Sequence, residues 1–255
     1  MLKIGKRSII ETLKLLIRKE IFNTLKNFFA IYKNPIKAMF NEFFTKGKYP
    51  CILEMKNGMK IKLYSHGDFS TLNLVFCRED YLADKKIKTI VDIGSNIGIS
   101  ALYWIYKNPK AQVYCFEPSK INYERLIKNT KNFRKNIEIN KYAISDFNGK
   151  SKLYISKNGV NDSIIEISSK KFQKIRVMEI NHVLERIFKK HKKIDIVKID
   201  AEGCDKSILK KIKKKYLKKI RIINIEGKGY NALLPDYFNY SFVGSASRFV
   251  NKGLE

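Results

Sequence analysis

The chain has 255 residues, 44% of them hydrophobic, and a formal net charge of +28, which is enough apolar content for one sizeable core carrying an extension. Its lysines sit among many Ile and Asn residues, as AT-rich codon usage would produce. The charge is read either as that compositional bias, with no polyanion partner, or as attraction to anionic substrates or membrane surfaces, and a nucleic-acid partner is not expected. Cys51, Cys77, Cys115 and Cys204 form no CxxC pair, no stretch approaches the ~20 apolar residues of a spanning helix, and Glu11, Lys14, Arg18 and Lys19 interrupt any secretory apolar region; no zinc or redox motif and no membrane span is read, and a cytoplasmic protein with reduced cysteines is expected.

From the N-terminus, Ile9, Leu13, Leu16, Ile17, Ile21, Leu25 and Phe28 recur at three- and four-residue steps, which predicts an amphipathic helix. Pro35 interrupts it and a second helix, IKAMFNEFF, follows. This pair either docks on its own domain, forms a homodimer contact or makes a peripheral membrane contact. CILEMKNGMKIKLY around Asn57-Gly58 predicts a β-hairpin. DFSTLNLVFCREDYL predicts a helix capped by Asp68 or Ser70. From residue 87 onward, apolar strands alternate with helices: KIKTIVDI, AQVYCFE, NIEINKYAI, KIDIVKID and KKIRIINIE. Near-continuous apolar strands of this kind imply a mostly parallel sheet with helices on both faces, an α/β fold. Residues 156–181 read as a polar loop, DKSILKKIKKKYLKKIR as one helix with an apolar stripe, and YSFVGSASRFVNKG as a short closing hairpin.

VDIGSNIG joins the first of these strands to the helix ISALYWIYKN, so Gly94 and Gly98 allow a ligand to approach the backbone at a helix N-terminus. A dinucleotide fingerprint requires G-x-G-x-x-G, and Asn96 stands at its middle glycine. Glu117, at the tip of the second strand, is where a carboxylate grips a ribose diol, and Asp146 follows the third strand. Asp92, Glu117 and Asp146 could each serve a local turn or cap instead. Together, at successive strand tips around one glycine loop, they point to a bound nucleoside.

VDIGSNIG, CFEPS, AISDFNGK and DIVKIDAEGCD resemble the motifs of the FkbM-type S-adenosylmethionine-dependent methyltransferases over roughly residues 50–230. The resemblance implies a class I, Rossmann-like methyltransferase domain at 49–255 behind an N-terminal amphipathic extension at 1–48, with S-adenosylmethionine as cofactor. It further implies that the Gly94 to Gly98 loop packs on the methionine part, that Asp92 and Asn96 lie near its amino and carboxylate groups, that Glu117 holds the ribose, and that Ala143 to Asp146 lie by the adenine. Asn161, Asp162 and Ser163, in KNGVNDSIIE, fall on the family's substrate-side loop. Only about 29 residues follow Glu226, where the family has a long helix and two strands, so a shortened sheet is expected.

In DIVKIDAEGCD the strand period of two puts Lys198, Asp200 and Glu202 on one side. Such charges cost several kcal/mol in a sheet unless they pair or face a cleft; a stabilising pair of Lys198 with Asp200 or Glu226 is the plain alternative to a catalytic role. Oxygen methylation needs a nucleophile about 3 Å from the methyl carbon and a base for its proton. Asp200 is the first choice, followed by Glu202 and Glu226, with His66 and His182 better matched to neutral pH. These acids could also hold Mg²⁺, but their spacing does not specify a metal and none is assigned. The resemblance, with the basic charge, implies O-methylation of a sugar hydroxyl, in a nucleotide-activated or surface-polysaccharide precursor; no motif specifies the sugar. The rivals of this reading are RNA methylation and a non-catalytic membrane-associated scaffold of the same fold.

Overall fold

The structure, a computed structural model, describes residues 3–4, 7–8, 19–44, 48–155, 171–201 and 203–254. The chain divides into two compact units, Met1–Asp80 and Tyr81–Glu255. Among the described residues no helix is long and apolar enough to cross a membrane, and the four cysteines form no disulfide with one another.

In the first unit, helix α1 spans Lys19–Ile31 and α2 spans Pro35–Phe44; the predicted start at Ile9 lies outside the described residues. Pro35 does more than end α1: it opens α2, at the position where its missing N–H costs nothing. Phe28, Ile31 and Tyr32 are buried, and the Tyr32 hydroxyl donates to Asn73 Oδ1 at 2.9 Å. The predicted hairpin pairs β1 (Cys51–Glu54) with β2 (Lys60–Leu63), and Gly58 takes φ +84° in its turn. Helix α3 (His66–Leu72) starts earlier than the sequence suggested. Ser65 is its cap, and Asp68 completes a capping box by accepting the N–H groups of Tyr64 and Ser65 at 2.7 and 3.0 Å. The helix then widens into a π-turn over Asn73–Cys77 and stops at Arg78.

The second unit is built on a seven-stranded sheet. Its strands are β3 (Thr89–Ile93), β4 (Gln112–Phe116), β5 (Ile137–Asn140), β9 (Ile194–Ile199), β10 (Ile220–Glu226), β11 (Phe238–Val243) and β12 (Ala246–Asn251). They lie in the order β11-β12-β10-β9-β3-β4-β5. The five central and outer strands from β5 to β10 are parallel, and β12 runs antiparallel to both β10 and β11. The closing hairpin thus supplies the last two strands, and the sheet is complete where a shortened one was expected.

The segment NIEINKYAI also differs from expectation. It ends its run in the main sheet at Asn140, and Ala143–Ser145 forms β6 of a separate three-stranded sheet with β7 (Gly149–Tyr154) and β8 (Phe172–Glu179), in the order β6-β8-β7. Helices α4 (Ile99–Lys107), α5 (Lys120–Asn129), α6 (Ile180–Phe188), α7 (Asp205–Lys211) and α8 (Lys214–Leu217) complete the unit. The predicted single helix after residue 205 is broken at Ile212 because Asn181 occupies the gap. Its Nδ2 donates to the Lys211 carbonyl at 3.0 Å, and its Oδ1 accepts the Lys213 N–H at 2.9 Å. The apolar stripe survives the break, with Ile208, Leu209, Ile212, Tyr216 and Leu217 all buried.

Strand β9 is buried at all six positions. Its four apolar side chains, at about 1.5–3 kcal/mol each, offset the burial of Asp195 and Lys198 only because both ions are paired. Asp195 Oδ2 accepts the N–H groups of Lys88 and Thr89 at 2.7 and 3.1 Å. Lys198 belongs to the site below.

Candidate functional site at the carboxyl edge of the sheet

The loop after β3 is held from inside the protein. The N–H groups of Gly94 and Ser95 both donate to the Phe116 carbonyl, at 3.0 and 3.1 Å, and that of Gly98 donates to Ser95 at 2.8 Å. The Asn96 N–H donates to Glu117 Oε2 at 2.8 Å. These four N–H groups are consumed, so the loop is not the open cradle that a pyrophosphate needs. The residue type at Asn96 and the hydrogen bonding agree on this. Glu117 Oε1 accepts the Ser119 N–H at 2.8 Å, which joins the loop to the start of α5.

Gly94 is irreplaceable on two counts. Its φ is +72°, and a Cβ there would lie 1.9 Å from the Asp200 carbonyl oxygen. Gly94→Ala is therefore expected to cost at least about 3 kcal/mol, from left-handed strain plus an overlap with rigid backbone. A urea melt close to wild type would show that the loop and the end of β9 can separate.

Lys198 is the hub of the site. It is 2% exposed, and its Nζ donates to the carbonyls of Gly94 and Ile93 at 2.6 and 3.2 Å. It also lies 3.0 Å from Asp200 Oδ2 and 3.5 Å from Asp92 Oδ1, with the Tyr81 ring centroid 5.9 Å away. Burial opposes its charge, but the carboxylate of Asp200, with Tyr81 and Asp92, holds its pKa well above that of an ordinary lysine. Asp92 is wholly enclosed. Its Oδ2 accepts the Ser100 hydroxyl at 2.6 Å, while Oδ1, without a geometric hydrogen bond among the described residues, lies 3.5 Å from the Lys198 ammonium. Burial, only partly countered by Lys198 and Ser100, leaves the Asp92 carboxyl above its usual range.

Asp200 follows the last residue of β9, and its side chain is 24% exposed. Burial pushes this carboxyl up, yet the Lys198 ammonium, together with hydrogen bonds from Glu226 and Lys198, outweighs it and leaves the group below the ordinary carboxylate value. Glu226, the last residue of β10, thus shares the tip of the sheet with Asp200. Asp205, at the start of α7, accepts the Ala201 N–H at 2.7 Å and so fixes the turn that carries Asp200. Ala143 is buried in β6, and Asp146 accepts the Ser145 hydroxyl at 3.0 Å. Glu202, Asn161, Asp162 and Ser163 lie outside the described residues. His66 is on α3 in the first unit, 3.2 Å from Ser70 Oγ; His182 is on the exposed side of α6, 2.9 Å from Asn148 Nδ2.

Sequence reading missed the polar row that continues from Lys198. The sheet register aligns Cys115, Asp92, Lys198, Asn224 and Arg248 across neighbouring strands. Arg248 Nη1 donates to the Tyr81 carbonyl at 3.1 Å and to Asn224 Oδ1 at 3.3 Å, and Asn224 Nδ2 donates to the same carbonyl at 3.1 Å. Tyr81 is thereby fixed beside the Lys198 ammonium. The only one-dimensional signal was a polar residue in the middle of each apolar strand.

Comparison with known proteins adds to this geometry. The structure is similar to a methyltransferase FkbM from Methylobacillus flagellatus KT, 15% identical with a TM-score of 0.47, over 92% of this chain and 60% of that one, so the chain spans less than two thirds of that protein's length. A methyltransferase from Geobacter sulfurreducens is 10% identical with a TM-score of 0.42, over 72% of this chain and 78% of that one. The N-terminal domain of human METTL16 in complex with SAH is 13% identical with a TM-score of 0.40, over 74% and 70%. No curated protein matches the sequence significantly. Residues 92–236, more than half of the chain, match the methyltransferase FkbM domain, and the protein belongs to that family of methyltransferases.

Proposed function

We propose that the protein transfers the methyl group of S-adenosylmethionine to a hydroxyl oxygen of a sugar, in a nucleotide-activated or polysaccharide precursor. The observation that carries the reaction is Asp200: a partly exposed carboxylate at the carboxyl edge of β9, whose own backbone touches the glycine loop and whose charge is fixed by Lys198. Family membership and the large positive charge favour a sugar carrying phosphate as the acceptor. A cytoplasmic site of action goes with this reading.

The residues present fit the cofactor. The loop is closed to phosphate, and its two glycines let it pack tightly, Gly94 against the Asp200 carbonyl and Gly98 against Leu126, which sets the loop beside Asp200 and Glu117. Glu117, at the tip of β4 beside the loop, would take the ribose hydroxyls, the Asn96 side chain the methionine end, and Ala143 to Asp146 the adenine. Asp92 acts from beneath the loop, since its carboxylate is enclosed and committed to Ser100 and Lys198. When bound, the cofactor supplies a methyl group on a positively charged sulfur. Lys198 holds the Ile93 and Gly94 carbonyls and Asp200 in one arrangement, so the loop and the base keep a fixed separation. Asp200 accepts the hydrogen bond of the acceptor hydroxyl and takes its proton as the oxygen gains positive charge. A carboxylate of low pKa suffices at that stage, because an alkylated oxygen is strongly acidic.

Glu117→Ala is expected to weaken S-adenosylmethionine binding by about 10- to 100-fold, the scale of lost hydrogen bonds to a charged group. Calorimetry measures it, and an unchanged affinity would remove Glu117 from the cofactor site. The acceptor is tested by following label from S-adenosylmethionine to a panel of nucleotide sugars. Transfer to none of them, with transfer to RNA or protein instead, would overturn the sugar assignment.

A further inference from the structure

Among the described residues, helix α1 has two apolar sides, of which one is covered. Phe28 and Ile31 face inward and are buried. Phe22 and Phe29 are 60% and 46% exposed; seven residues apart on a helix, they share one outward face. Lys26, also exposed, sits between them at helical spacing. Beyond the break, Ile36 is 76% exposed, and together with Phe29, Asn34, Pro35 and Lys37 it lines a groove. Lys33 and Lys37 are exposed beside this stretch. Lys33 pairs with Glu54 at 2.9 Å. The outward face therefore alternates apolar and cationic residues: Phe22, Lys26, Phe29, Lys33, Ile36, Lys37.

Three large exposed apolar side chains in one row call for a partner, and the lysines select which. A second copy docking on this face by two-fold symmetry would bring two surfaces that both carry Lys26, Lys33 and Lys37 together, with like charges close across the contact. A coiled coil would require one continuous helix, which Pro35 prevents. An anionic bilayer meets both halves of the pattern: aromatic and aliphatic side chains enter the headgroup boundary while lysine stems lie along it and keep their ammonium groups at the phosphates. We propose that the outward face of α1 and the first turn of α2 is a docking surface for membranes rich in anionic lipid. This is independent of the reading of the catalytic site.

The test is co-sedimentation of the full-length protein with phosphatidylcholine vesicles, with and without about 30% phosphatidylglycerol. Binding at least about tenfold tighter to the anionic vesicles is expected, and it should fall about tenfold in the variant Phe22→Ser, Phe29→Ser, Ile36→Ser, which keeps every charge. Its thermal melt and its affinity for S-adenosylmethionine should match wild type, since none of the three positions belongs to the cofactor site or the buried core. Failure of the wild type to bind would overturn the proposal. So would equal binding by the variant, which would assign the attraction to lysines elsewhere, or a wild-type dimer in sedimentation that the variant dissolves.

Discussion

Asp200→Asn is expected to slow methyl transfer at least ~100-fold while cofactor affinity stays within about threefold. The substitution is isosteric and leaves the Asp200 carbonyl against Gly94, so the loop should keep its shape. What disappears is the negative charge 3.0 Å from Lys198 and the capacity to accept a proton. The pH profile separates this base from its rivals. Because Lys198 and Glu226 hold the Asp200 carboxyl below its ordinary value, it remains ionised below neutrality, and turnover should hold level down to about pH 5, with its acid limb near or below the ordinary carboxylate value of about 3.9. An imidazole base would place that limb near 6.5 instead. The stability linkage has the same sign for Asp200: its folded pKa is depressed, so its contribution is present above the unfolded value and is lost as pH falls through the folded one. Asp92, whose carboxyl is raised, works the other way, its contribution being greatest in acid and declining as pH rises through its folded value. An acid limb near 6.5, or wild-type turnover in the Asn variant, would transfer the base role to another group.

The parts of this molecule that follow from one strand or one turn were legible in the sequence. Strands β3, β4, β9 and β10, the Asn57-Gly58 hairpin and the loop between Gly94 and Gly98 each carry their pattern locally, as does the exclusion of a phosphate cradle by Asn96. The misreadings concern relations between segments. The alternation of apolar residues runs on through NIEINKYAI, and nothing within those residues says that Ala143–Ser145 leaves the main sheet to pair with β8. The break in the helix at Ile212 is set by Asn181, 31 positions earlier, filling both free backbone groups. Lys198 was visible as an odd charge in a buried strand. That its ammonium would bind two loop carbonyls as well as two acids depends on the alignment of β9 beside β3, and only three dimensions supply that.

Lys198→Met should be the most damaging side-chain change in the site, costing about 3–5 kcal/mol, the scale of a buried ion pair that loses one partner. The two acids left behind are not equivalent. Asp200 is 24% exposed on its side chain and can turn to water, whereas Asp92 is enclosed on all sides. Neutralising Asp92 should therefore recover stability: Asp92→Asn added to Lys198→Met should melt at higher urea than Lys198→Met alone, while Asp200→Asn added to it should recover less. The Ser100 hydroxyl, 2.6 Å from Asp92 Oδ2, can still donate to the Asn carbonyl oxygen, so the double variant leaves that contact intact. Recovery of stability should not bring recovery of cofactor binding, because the carbonyls of Ile93 and Gly94 have lost the ammonium that holds the loop to β9. If the Asp92 double variant is no more stable than Lys198→Met, the main work of Lys198 is to anchor those two carbonyls, and charge neutralisation beneath the loop is secondary. If it regains both stability and tight binding, the loop keeps its position through Phe116 and Glu117 alone, and Lys198 serves only to offset the charge of Asp92.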